Sequence, residues 1–481
     1  MERGIEAFID DFVKDLAANN AAIFVGAGMS KGAGYVDWAE MLSDIANELN
    51  LEIDKERDFL ISLAQYHVNE KNSRAKVTKK IIEEFVEDID LTENHRIIAR
   101  LPISTYWTTN YDRLIENALR EANRRPDVKH EVEQIFNTRP KRDAVVYKMH
   151  GDVDHPADAT LTKEDYEQYH VKNEAFINAL TGDLTTKTFL FIGFSFTDPN
   201  LDYVLSRIAM KHRNNRRDHY FFVRRPKLGE KDNIEKADFD YNTRKHQLKI
   251  RELRRYGIQA LEIDEYPQIT EVLQEIESRF RKRTIFISGS AEEYGGWEQL
   301  EAQKFIHKLS KSIVKVDFRI VNGFGWGVGS AVINGALDAV YEKPDRYSED
   351  QLIMKPFPQF KTGEKELDVL WEEYRQRMIK LAGIAIFLFG NKKDEAGKNI
   401  LANGIRLEFA IAKQHGLVPI AIPATDYVAK EIYDEISKDF KSYYAGNEEI
   451  IPLVEELSTY SAKEDDKIIS TIIKIIKGVN K

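Results

Sequence analysis

The ten residues AAIFVGAGMS, Ala21 to Ser30, set an apolar burst against a glycine-bearing turn, and that change of pattern decides the fold. Five consecutive apolar residues read as a strand buried on both faces, the form strands take in a parallel sheet. Similar bursts recur at Thr105 to Thr108, Val145 to Met149, Thr188 to Gly193 and Tyr220 to Val223, with helical periodicity between them. Strands alternating with helices predict an α/β architecture with parallel sheets. The periodic apolar positions of Trp38 to Arg100 predict three or four helices inserted as a lobe over the sheet. The charged segment Arg224 to Arg255 predicts a turn and a long solvated helix. A short helix, Thr270 to Arg279, leads into a second βα series with strands at Ile285 to Ser288, Phe318 to Val321, Gly383 to Phe389 and Val418 to Ile422. We place the domain boundary near residue 282 and predict two Rossmann-like domains, 1–282 and 283–481.

Composition narrows the function. A chain of 481 residues is long for one hydrophobic core, and 42% apolar with 11% aromatic residues suffices for two. A net charge of −10 disfavours nucleic acid and anionic membrane surfaces as partners. The chain has no cysteine, which excludes disulfides, thiolate catalysis and cysteine-ligated zinc, and no metal site is read. The opening MERGIEAFIDDF is an amphipathic helix without the apolar core of a signal peptide, and the longest apolar runs fall far short of the roughly 20 residues of a membrane span. A cytoplasmic location is the expectation.

Four strand ends in the first half carry polar clusters. Gly26, Ala27, Gly28 and Ser30 follow the first strand, where glycines let the backbone approach a pyrophosphate or simply turn the chain. The second strand ends in TTNYD, with Asn110 and Asp112; the third in MHGD, with His150; the fourth in GFSFTDPN, with Gly193, Ser195 and Asp198. Open α/β sheets collect ligands at these carboxyl ends. Taken singly, Asn110 and Asp112 also suit a helix cap, and His150 a structural histidine.

In the second half, SGSA supplies Ser288, Gly289 and Ser290 after a strand, and NGFGWGVGS supplies Gly323, Gly325, Gly327, Gly329 and Ser330 before a helix. Two such loops offer main-chain N–H groups to a phosphate, or form a packing turn. Arg375, on a helix with Arg377, and Lys392, just past a strand, suit phosphates. Glu408, inside a helix, suits ribose hydroxyls; each is otherwise a surface charge.

The order GAG-x-S, T-x-N-x-D, HG and GxS resembles the sirtuin family over about 280 residues. That resemblance implies NAD as substrate, with Gly26, Ala27, Gly28, Ser30, Asp112, Gly193 and Ser195 around it, Asn110 beside the scissile bond and His150 as general base. Sirtuin deacylases usually carry a four-cysteine zinc ribbon and read TQN where this chain reads TTN, so hydrolysis of NAD is expected ahead of deacylation, and no zinc. ISGSA, the glycine loop, the Arg-bearing helix and the late Glu resemble a SLOG domain, which implies a nucleotide-derived ligand on Ser288 to Ser290, Gly323 to Ser330, Arg375, Lys392 and Glu408. The pairing resembles the effectors of Thoeris antiphage defence. It implies a signal, a cyclic ADP-ribose isomer made by a TIR-domain partner, that switches on NAD destruction in a tetramer or higher homo-oligomer. The rival expectations are an NAD-dependent protein deacylase and a non-catalytic nucleotide sensor.

Overall fold

The computed structural model describes residues 3–56, 60–211, 217–230, 233–361, 363 and 365–480. The chain forms two compact units, Met1–Glu277 and Ser278–Lys481.

In the first unit seven strands, β1 (Ala21–Val25), β2 (Thr105–Thr108), β3 (Pro126–Lys129), β4 (Ala144–Lys148), β5 (Thr188–Ile192), β6 (His219–Arg224) and β7 (Ile258–Ile263), form one sheet in the order β3-β4-β2-β1-β5-β6-β7. Every pairing is parallel. All residues of β1, β2 and β5 are buried, as strands with helices on both faces must be. Chain order reverses at β1, with β2 on one side and β5 on the other, which opens a crevice at their carboxyl ends. The helical lobe consists of Trp38–Glu48, Leu60–Lys71, Ala75–Phe85 and Glu93–Arg100. Asp37 and Glu40 cap its first helix reciprocally. The amphipathic first helix, Arg3–Ala17, buries Ile5, Phe8, Ile9, Phe12, Val13 and Leu16 at helical spacing.

The two strands of this unit absent from the sequence reading are both edges of its sheet. Pro126–Lys129 reads as polar, yet Asp127 and Lys129 are buried as an ion pair at 2.8 Å, and proline opens the strand where an edge tolerates it. Ile258–Ile263 mixes Gln259 and Glu262 into its run, so it lacks the uniform apolar signal of the central strands. Strands β4 and β5 stop one residue short of the expected ends, leaving Met149 and Gly193 in the loops.

In the second unit β8 (Thr284–Ser290), β9 (Arg319–Asn322), β10 (Leu352–Met354), β11 (Ile384–Phe389) and, after a hairpin of β12 (Asn391–Lys393) and β13 (Asn399–Leu401), β14 (Val418–Ala421) make the rest of the architecture. Five of them form a parallel sheet ordered β10-β9-β8-β11-β14, the doubly wound arrangement with its switch point between β8 and β11. No described helix is long and apolar enough to cross a membrane.

Candidate active site and ligand site

The carboxyl ends of β1, β2, β4 and β5 hold the first cluster. Gly26 N–H and Gly28 N–H donate to Ile192 O and Gly193 O, both at 2.9 Å. A Cβ on Gly26 would lie 2.4 Å from Gly193 O, and one on Gly193, whose φ is +67°, would lie 2.4 Å from Met29 N. These glycines therefore close two loops onto each other, a stronger demand than the open phosphate cradle expected of them.

On that base Ser30 donates to Asp112 Oδ2 at 2.5 Å, and the Asn110 amide donates to Ser30 Oγ at 2.8 Å and Gly26 O at 3.1 Å. Both amide hydrogens of Asn110 are thereby used, and its carboxamide oxygen is left as the acceptor for an outside group. Asp112 Oδ1 also accepts from Leu114 N–H at 3.0 Å, at the start of the helix Leu114–Glu121, alongside its bond to Ser30.

His150 is buried beside them. Its Nε2 lies 3.1 Å from Asp198 Oδ2, off the line of a good hydrogen bond, and its Nδ1 is 3.5 Å from the Tyr166 hydroxyl. Burial pushes Asp198 up, but the His150 imidazole and the Leu201 and Asn200 amides together hold its carboxyl below the ordinary value. Burial holds the Tyr166 hydroxyl protonated well above its usual range. Tyr166 rides on the helix Lys163–Lys172, which a reciprocal Thr162–Asp165 cap starts and the Arg74–Asp165 pair ties to the helical lobe.

Beneath both clusters Lys148 is fully buried between Glu116 Oε1 at 3.1 Å and Asp152 Oδ2 at 2.5 Å, and donates to the carbonyls of Tyr111 and Asp112. Burial opposes its charge, but the carboxylates of Glu116, Asp152 and Asp112 outweigh it and raise its pKa. Lys148 thus pins the Asn110–Asp112 segment to the strand end that carries His150. Ser195 is exposed, bonded to Thr197 at 2.8 Å, and joins neither cluster.

The second cluster sits at the carboxyl ends of β8, β9 and β11. Ser288 donates to Glu408 Oε2 at 2.6 Å; Arg375 Nε is 3.8 Å from Glu408 Oε1 and makes no hydrogen bond. Burial pushes Glu408 up to about 7, against the opposing pulls of the Ser288 hydroxyl and Arg375. Ser290 donates to Asn391 O at 3.1 Å. Gly325 and Gly327 pack so tightly on Gly289 O and Ala291 O that a Cβ would come within 1.9 Å of either oxygen. Lys392 stands exposed on the hairpin and Ser330 exposed on the first turn of its helix.

Comparisons with known proteins agree with this division. A family model described as a SIR2-like domain matches residues 104–260, and one described as the Sir2- and TIR-associating SLOG family matches 268–479. The chain is 48% identical to the NAD(+) hydrolase ThsA of Bacillus cereus (strain MSX-D12), covering 98% of each chain. The chain belongs to the ThsA family of NAD(+) hydrolases. The ThsA of Acinetobacter baumannii (strain 532279) is 44% identical, again over 98% of each chain. The Defense-associated sirtuin 2 of Bacillus subtilis is 25% identical over 43% of this chain and 21% of its own length.

Within this ThsA-family frame the structure brings Gly26, Gly28, Ser30, Asn110, Asp112 and Gly193 together, with Ala27 in the same turn, and sets His150 on the adjoining strand end. It joins Ser288, Arg375 and Glu408. Sequence reasoning gave no role to Asp198 and missed Lys148 and Tyr166. Asp198 lies in the GFSFTDPN strand end, whereas Lys148 reads as one more charge on a strand. Among the described residues, His130, Glu131 and His155 bring three potential ligand atoms within 4.8 Å of one another. The two rings lie face to face at 4.3 Å, and the Gln134 amide occupies His130 Nε2 at 2.9 Å, so their lone pairs do not converge on an ion.

Proposed function

We propose that this chain hydrolyses NAD to ADP-ribose and nicotinamide in its first unit, under control of a cyclic ADP-ribose isomer bound to its second. The observation that carries the catalytic half is the hydrogen-bonded Ser30–Asn110–Asp112 group set beside the His150–Asp198 pair at a topological switch point. The names of the relatives, NAD(+) hydrolase, support it.

Nicotinamide in NAD is a cationic leaving group. As its bond to the ribose breaks, the electron pair neutralises the ring nitrogen and positive charge develops on the ribose, where oriented dipoles stabilise it. The Asn110 carboxamide oxygen, fixed by the bonds of its NH2 group, orients the attacking water or a ribose hydroxyl. Asp198 beside Nε2 favours the tautomer that leaves the His150 Nδ1 lone pair free to take the water proton. The long Tyr166 contact is the one that this water or hydroxyl replaces. Asp112, with both oxygens engaged inside the protein, acts through Ser30 rather than on nicotinamide.

Ligand control requires the signal to favour one arrangement of domains or subunits by its own differential binding energy. The signal site is Ser288, Arg375 and Glu408, with Ser290 and the Gly323 to Ser330 loop around it and Lys392 at its rim. The Sir2- and TIR-associating description of the SLOG match supports a TIR-domain protein as the source of the signal. The assembly is a homo-oligomer of four or more chains, it works in the cytoplasm, and depletion of NAD serves antiphage defence. Product analysis with NAD and an acetylated peptide tests the reaction: plain ADP-ribose is expected, and O-acetyl-ADP-ribose would show a deacylase.

A further inference from the structure

The loop Gly323 to Gly329 carries two side chains that its packing does not explain. Phe324 is 53% exposed and Trp326 is 73% exposed, although five buried or tightly packed residues surround them in sequence. A solvent-facing tryptophan gains little from the fold, and two such rings on one short loop are open to a ligand.

The frame that presents them is rigid. Asn322 donates to Ile287 O at 2.9 Å and accepts from Phe324 N–H at 2.7 Å; Trp326 O accepts from Ala291 N–H at 2.8 Å; Gly327 O accepts from Tyr294 and Gln303. Phe324 is held at a φ of +61°, a conformation that costs a bulky side chain and that glycine would adopt freely.

The neighbours say what the rings meet. Beside Gly323 lies Phe357, whose ring is covered by the Arg375 guanidinium at 5.2 Å; Arg375 in turn lies 3.8 Å from Glu408, which accepts from Ser288. Phosphate chemistry is thus provided for by Arg375, and hydroxyl chemistry by Glu408 and Ser288, at one end of a continuous run of contacts. Gly323, which opens the aromatic loop, stands at the other end, and the exposed rings of Phe324 and Trp326 follow it in the chain.

We infer that Trp326, assisted by Phe324, is the base-stacking element of the signal site and takes the purine of an ADP-ribose-type ligand on its exposed ring. The inference rests on the reading of the second unit as a sensor of cyclic ADP-ribose isomers, and it adds the residues that recognise the base. Stacking on an exposed ring tolerates changes in the base edge, so these residues set affinity and leave the choice among ring linkages to the polar groups.

The test is titration of the full-length protein, wild type and the variants Trp326→Ala and Trp326→Phe, with a panel of cyclic ADP-ribose isomers, by calorimetry and by tryptophan emission. Quenching of emission in the wild type is expected. Trp326→Phe should bind within about threefold of wild type with most of the quenching gone, and Trp326→Ala should bind about tenfold more weakly or worse with an unchanged melting temperature. A Trp326→Ala protein that binds within twofold of wild type overturns the inference, and a shift in its oligomer size with unchanged affinity assigns the rings to contact between copies instead. Failure of every isomer to bind the wild type sinks the sensor reading itself, and the inference with it.

Discussion

His150 Nε2 and Asp198 Oδ2 lie 3.1 Å apart although 48 positions separate them in the chain, and both side chains are withdrawn from water. Asp198 also caps the helix Pro199–Lys211 through Leu201 N–H, a task asparagine performs equally well. Asp198→Asn should therefore fold with the helix intact while lowering kcat for NAD hydrolysis by about tenfold or more, because the charge that orients and supports the imidazole is gone. Unchanged kcat with a reduced melting temperature would leave Asp198 a structural role only.

The same carboxylate predicts a pH effect on stability. Its folded pKa is depressed, so its contribution is fully present above the unfolded value of about 3.9 and is lost as pH falls through the folded value. The difference in unfolding free energy between wild type and Asp198→Asn should be larger at about pH 5 than at about pH 4 and should shrink further below it. Chemical denaturation across that range checks it; a difference that grows in acid contradicts it.

Ser30 links Asn110 to Asp112, and its removal leaves a buried amide hydrogen and a buried carboxylate oxygen short of a partner. Ser30→Ala should cost about 1–3 kcal/mol of stability and lower activity as Asn110 loses its fixed orientation. Denaturant titration and NAD turnover measure the two effects separately.

Glu408 gives the opposite pH sign. Its folded pKa is raised to about 7, so stability is fully present below the unfolded value of about 4.3 and is lost as pH rises toward 7. Glu408→Gln, neutral at every pH and still able to accept from Ser288, should abolish that loss, so the variant gains on wild type between about pH 4.3 and 7 and holds the gain above. Melting curves at a series of pH values read this directly.

The parts of the fold legible in the sequence are the ones whose burial leaves a continuous apolar mark. The runs Ala21–Val25, Thr105–Thr108 and Ile384–Phe389 are central strands, and each is visible as such. Edge strands such as Pro126–Lys129 hide because one side faces solvent or buries an ion pair such as Asp127–Lys129. At the site, residue types at strand ends showed that Asn110, Asp112 and His150 share one edge. Asp198 was visible at its own strand end but not its pairing with His150, and Lys148 and Tyr166 were hidden, since their contacts with this edge follow only from the sheet order. The glycines were visible too, but pattern alone does not distinguish an open cradle from the closed contact of Gly26 with Gly193.

Nicotinamide release from NAD by the purified wild-type chain and by Asn110→Ala and His150→Ala, each with and without a panel of cyclic ADP-ribose isomers, tests the central claim most directly. Wild-type cleavage to equal amounts of nicotinamide and ADP-ribose that rises with one of the isomers is expected, with a rate lower by about 10²–10⁴-fold in His150→Ala and comparable loss in Asn110→Ala. Undiminished cleavage by either variant, or none by the wild type with any isomer, would contradict it.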